Sequence, residues 1–152
     1  MASDVKQDLV IITNVEQNKF YDELKQKTHF ENDPRIKFVG TVYDAELLKY
    51  IRENALGYLH GHSVGGTNPS LLEALGSTRL NLLLDVGFNK EVGESGALYW
   101  GTKSGELKHV LESVAKLDQA QKDQLAKAAK QRIKQQYSWE KIVTDYENIF
   151  LQ

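Results

Sequence analysis

The residues best suited to chemistry sit in one run, Gly65-Gly66-Thr67-Asn68-Pro69-Ser70-Leu71-Leu72-Glu73-Ala74-Leu75. Two adjacent glycines let a backbone approach a ligand closely, because no Cβ stands in the way. Asn68 is a residue type that caps helices, and Pro69 suits a first helical position, where its missing N–H costs nothing. The run therefore predicts a glycine turn leading into a helix amino terminus. Unpaired N–H groups and the positive end of the helix dipole suit a phosphate there. Glu73 falls in the second turn among Leu71, Leu72 and Leu75. A carboxylate at that place is either a solvated helix residue or an acceptor for a pair of ligand hydroxyls, and spacing alone leaves both open. No Gly-Lys-Ser/Thr follows the glycines and no Gly-x-Gly-x-x-Gly is present, so the phosphate argument rests on helix-terminus physics and not on those motifs.

His60 and His62 stand two apart just upstream. A metal site needs further ligands at coordinating distance, and although Asp44 and Asp85 are available, nothing in the spacing supports one. For these histidines the open readings are substrate contact and hydrogen bonding that shapes the loop. No Gly-x-Ser-x-Gly elbow exists, which disfavours a Ser-His-Asp hydrolase, and the absence of cysteine excludes thiol chemistry, disulfides and Cys-ligated metals. No catalytic residue can be assigned from spacing.

The elements that must position these residues follow from hydrophobic patterning. Asp8–Thr13 is a continuous apolar run of strand length, of the kind buried on both faces in a parallel sheet. A polar helix is expected from about Glu16 to Lys27, with Phe20 and Leu24 on one face. Ile36–Val39 reads as a strand between Pro34 and Gly40, and Asp44 as the cap of a helix carrying Leu47, Leu48 and Ile51. Further strands are expected at 55–59, 80–84 and 97–100, with His60–Asn68 and Asp85–Glu91 as loops. Helices are expected at 103–117 and 119–137. Ser138 caps a last helix at 138–152, with Ile142, Tyr146, Ile149 and Phe150 on its buried stripe. Strands alternating with helices imply an α/β fold, a Rossmann-like parallel sheet flanked by helices, whose ligands bind outside the carboxyl ends of the strands. Gly40–Asp44, His60–Asn68 and Asp85–Glu91 all leave strands at that edge.

The stretch Gly57–Leu75 resembles the donor-binding segment of retaining family-4 glycosyltransferases of GT-B fold, and is most similar to the bacterial rhamnosyltransferase branch of capsule and cell-wall polysaccharide synthesis. Phe38–Asp44 resembles the family's base-contacting turn, Asp85–Val92 its next donor-side loop, and Tyr137–Ile142 its carboxyl-terminal crossover helix; the resemblance runs from about Asp8 to Phe150. It implies the C-terminal half of a GT-B enzyme, with residues 1–152 as a single donor-binding domain. Glu73 matches the second glutamate of the Glu-x7-Glu motif, which holds the nucleotide ribose. Ser70 and Leu71 match backbone contacts to the nucleoside diphosphate, and Val42 and Asp44 the turn beside the base. Gly65 stands where the motif's first glutamate falls, so sugar contacts must come from residues such as Gly66, Thr67 or His62, behind which Asn68 sets the helix start.

The resemblance further implies a nucleotide-sugar donor, dTDP-rhamnose or a UDP-sugar. The glycan or lipid-linked acceptor would be held by an amino-terminal domain, and no cofactor is implied. A family member's donor domain opens with a strand and helix bearing an Arg and a Lys for the diphosphate. The present sequence reads as starting after them, as a fragment inactive by itself. The implied setting is cytoplasmic, with the parent at the inner face of the plasma membrane, although no segment here suggests membrane contact. Nineteen Lys+Arg against 21 Asp+Glu, a net charge of −2, argue against nucleic acid as a partner. Residues 103–141 hold nine Lys/Arg and five Asp/Glu, a pattern that suits a solvated helical face better than an anionic partner surface. The alternative reading is a non-catalytic module that binds a nucleotide or nucleotide sugar. A receiver-type domain is disfavoured, because no acidic pair precedes Asp85 near the first strand.

Overall fold

The computed structural model describes residues 3–151. The chain forms two compact units, the first running to Leu48 and the second starting at Lys49.

In the first unit β1 (Leu9–Ile11) and β2 (Ile36–Phe38) pair in parallel, Leu9 opposite Ile36 and Ile11 opposite Phe38. Between them runs α1 (Lys19–Thr28), whose first turn is capped by Asn18, its side chain accepting the Tyr21 amide at 3.0 Å. The helix starts later than its polarity pattern suggests, and Phe20 is exposed. Arg35, just ahead of β2, ties the amino-terminal segment down. Its guanidinium donates to Asp33 through two nitrogens and to the carbonyls of Ser3 and Val5 at 3.1 and 2.6 Å. The Asp33 carboxyl is held well below the usual carboxylate range, first by the Arg35 hydrogen bonds. Asp44 caps α2 (Ala45–Asn54), as its residue type predicts, accepting the amides of Glu46 and Leu47. The division between the units falls within this helix.

The second unit holds β3 (Tyr58–His60), β4 (Asn81–Leu84) and β5 (Leu98–Trp100), parallel and in that spatial order. All the pairings are parallel, as the uninterrupted apolar runs predict, and they fall into two sheets, β1-β2 and β3-β4-β5. On one face of β4 lies α3 (Pro69–Ser77), burying Leu71, Ala74 and Leu75 at helical spacing with Leu83, Val92, Ala97 and Ala129. Each fully buried leucine contributes about 1.5–3 kcal/mol relative to an exposed one. On the other face Leu80 and Leu82 pack with Val114 of α5 (Glu106–Val114). The long α6 (Gln119–Gln136) opens on a reciprocal cap between Asp118 and Gln121 and passes so close to Gly96 that a Cβ there would lie 2.5 Å from the Ala129 Cα.

Two expectations need correction. The Asp85–Glu91 segment is not all loop, because α4 (Gly87–Gly93) begins within it. Val86 supplies no side-chain cap; the helix is held by burial of Asn89 and Val92, a tertiary effect that no local signal carries. The last helix, α7 (Trp139–Phe150), is capped by Ser138 as expected, but Tyr146, Ile149 and Phe150 are 59%, 67% and 80% exposed. Apolar spacing tells which side of a helix is greasy, not whether anything covers it. Among the described residues no helix is long and apolar enough to cross a membrane.

Candidate functional site

The Gly65–Glu73 run folds as its residue types dictate. Gly65 has φ +130°, a conformation that favours glycine, whereas Gly66 has no such demand. A Cβ on either glycine would meet no heavy atom within 4 Å, so the turn stands open. Asn68 caps α3 through its side-chain oxygen, which accepts the Ser70 amide at 2.9 Å, and its carbonyl accepts the amides of Leu71 and Leu72 at 3.0 and 3.1 Å. With Pro69 lacking an N–H, the first turn has its donors already engaged, contrary to the expectation of unpaired groups there. The amides of Gly66 and Thr67 make no hydrogen bond among the described residues, so the open donors sit just upstream, in the glycine turn. Leu71 is wholly buried and offers only its backbone, while Thr67 and Ser70 are exposed.

The loop before this turn is anchored from beneath. Asn89, fully buried on α4, donates from Nδ2 to the His62 carbonyl at 3.1 Å and to the Leu84 carbonyl at 2.9 Å. One amide group thus joins the loop that leaves β3 to the end of β4, bringing together two of the three expected segments. Alternate residues of the β3 segment then stack their rings. Tyr58 lies 5.8 Å from His60, and His60 lies 4.5 Å from His62 with the planes 20° apart. His60 was expected in the loop; it ends the strand instead, only 1% exposed, with Nδ1 3.3 Å from the Tyr58 hydroxyl and Nε2 unpartnered among the described residues. Burial, and then the neighbouring His62, lowers the His60 imidazole to about 4, so it is neutral at neutral pH. His62 is exposed, and its backbone helps to shape the loop.

Glu73 projects from α3 and has a partner that spacing did not reveal. Its Oε2 lies 2.8 Å from Nη1 of Arg52, with the carboxylate side chain 58% exposed and the arginine only 15%. Tyr58 stands beside this pair. Burial raises its phenol, Arg52 opposes that shift and Glu73 adds to it. Val42, half-buried, and Asp44, exposed and engaged as a cap, belong to the first unit, whereas His62, Gly65, Gly66, Thr67, Asn68, Ser70, Leu71 and Glu73 belong to the second. Asp85, at the end of β4, pairs with Lys90 at 2.7 Å. A notch of about 160 Å³ lies against α6, lined by Glu94, Gly96, Arg132 and Gln135 among others, and none of the loop residues lines it.

With this geometry in place, the fold finds counterparts among solved structures. The chain has the Rossmann-like fold of a GT-B half. It is similar to sucrose-phosphate synthase from Thermosynechococcus elongatus, with a TM-score of 0.74 and 18% identity over 95% of this chain and 37% of that one. It is similar to a UDP-forming α,α-trehalose-phosphate synthase from Burkholderia xenovorans, at 0.71 and 15%, covering 95% and 35%. HepE of Anabaena, solved in complex with UDP, matches at 0.75 and 17%, covering 97% and 42%. The chain therefore spans about two fifths of the length of these neighbours. No family model matches the chain, and no curated protein matches it in sequence.

Proposed function

We propose that this chain is the donor-binding, carboxyl-terminal domain of a glycosyltransferase and that it holds a nucleoside diphosphate sugar at the glycine turn before α3. The observation that carries the proposal is the pairing of two open backbone amides, Gly66 and Thr67, with a solvent-facing carboxylate, Glu73, on the helix that follows. The amides supply donors for a diphosphate, and the carboxylate supplies acceptors for the two ribose hydroxyls. In the transfer reaction the bond between the sugar's anomeric carbon and the diphosphate breaks as an acceptor hydroxyl oxygen bonds to that carbon, its proton passing to the departing diphosphate. Fixed N–H donors lower the barrier by stabilising charge on the leaving diphosphate. Solved neighbours that form UDP or were crystallised with it support a uridine nucleotide as one ligand.

The finer reading follows the resemblance of Gly57–Leu75: a rhamnosyl group passing from dTDP-rhamnose to a growing bacterial surface polysaccharide or lipid-linked glycan, at the cytoplasmic face of the membrane. His62, Gly66 and Thr67 would face the sugar; the Ser70 and Leu71 amides, for which the resemblance implies diphosphate contacts, are engaged by Asn68, which leaves that role to the Gly66 and Thr67 amides. A second reading, a nucleotide-sugar binding module without catalysis, draws on Gly65, which stands where the family motif places its sugar-contacting glutamate. A thermal-shift panel of UDP, GDP and dTDP with their sugars tests the proposal. Stabilisation by at least one nucleotide diphosphate is expected, and none by any of them overturns it. Assay of sugar transfer by a longer protein containing an acceptor-binding half then separates enzyme from module.

A further inference from the structure

The Arg52–Glu73 pair is asymmetric in a way that a simple surface ion pair is not. The guanidinium is mostly buried at the end of α2, whereas the carboxylate it touches is more than half exposed. Oε2 lies 2.8 Å from the guanidinium, and Oε1 accepts no hydrogen bond among the described residues. A glutamate side chain free on a helix surface samples several rotamers, and fixing it on binding costs free energy. A guanidinium is a rigid, planar donor, and a buried one is not drawn off by water, so it can hold a carboxylate in one orientation. We propose that Arg52 is a positioning residue: it holds one oxygen of Glu73 and presents the other to the sugar hydroxyls of a bound nucleotide, so that a ribonucleotide gains at its 2′-hydroxyl a contact that a deoxyribonucleotide lacks.

The inference rests on the nucleotide-binding reading given above, and the test separates the two. Calorimetric titration with UDP and with 2′-deoxy-UDP gives an affinity ratio that reports the 2′-hydroxyl contact alone. Arg52→Met is expected to weaken UDP about five- to tenfold, the scale of one ordinary hydrogen bond, while 2′-deoxy-UDP changes little and the ratio falls toward one. Arg52→Lys, which keeps the charge and loses the planar fork, should restore part of the ratio. Glu73→Gln run in parallel should lower the same ratio. An unchanged ratio in Arg52→Met, or equal losses for both nucleotides, overturns the positioning role. If Glu73→Gln lowers the ratio in that case, the nucleotide-binding reading stands and only the Arg52 inference falls. If Glu73→Gln also leaves the ratio unchanged, or if the unsubstituted chain binds neither nucleotide, both are overturned.

Discussion

Glu73 shows what a single residue type can and cannot announce. Spacing leaves it equally a solvated helix residue or a ligand acceptor, and the structure shows it exposed and paired with Arg52, 21 positions away, a partner that no local pattern signals. Glu73→Ala should weaken UDP binding by about 1.5–3 kcal/mol, the range for hydrogen bonds to a charged group, and should weaken dTDP less because dTDP lacks the 2′-hydroxyl; isothermal calorimetry reads both. The glycines separate cleanly. Gly65→Ala places a Cβ on a backbone at φ +130° and should cost about 1–3 kcal/mol of stability by denaturant titration. Gly66→Ala meets neither strain nor a neighbour, so its melting temperature should hold while diphosphate binding falls, because the new methyl stands beside the open amides. Unimpaired dTDP and UDP binding in Gly66→Ala would put the phosphate elsewhere. His60 carries a pH dependence. Its folded imidazole sits at about 4 against an ordinary value near 6.5, so the unfolded chain binds more protons between those values. Its contribution to stability is fully present above about pH 6.5 and is lost as pH falls toward 4. His60→Leu should flatten the slope of melting temperature across that window.

At the scale of elements, caps and apolar runs were the legible features. Asp44, Asn68 and Ser138 all begin helices as their residue types imply, because an N-cap is a local hydrogen bond that needs only its own turn. The β4 run was equally plain, since a strand covered on both faces has no polar side to break the pattern. Features that depend on distant partners were not legible. The start of α4 rests on Asn89 reaching two carbonyls in other segments, the ring ladder rests on β3 extending to His60, and the exposure of the α7 stripe depends on what packs there. The engaged donors at the start of α3 also escaped sequence reasoning, which foresaw the cap but not that Asn68 would occupy the donors itself. Asn68→Ala should cost about 0.5–2 kcal/mol of stability. Asn89→Leu should cost about 1–3 kcal/mol by removing both Asn89 bonds and leaving the His62 carbonyl unpaired, and should raise hydrogen exchange in the loop from His62 to Thr67. An Asn89→Leu chain as stable as the parent would show that the loop holds itself.

The whole chain has the Rossmann-like fold of a GT-B half and covers two fifths or less of two of its solved neighbours. A cooperative melt with α/β circular dichroism, nucleotide binding and no sugar transfer by this chain alone are the expected behaviour; robust transfer by the chain alone would show that the acceptor site lies within it. The central claim, that a nucleoside diphosphate sits at the glycine turn before α3, is tested most directly by backbone amide NMR of the chain titrated with UDP. Saturable shifts are expected on Gly65, Gly66, Thr67, Ser70 and Glu73, with the largest on the open amides of Gly66 and Thr67. Saturable shifts that bypass this turn, or no shifts at millimolar UDP, would contradict it.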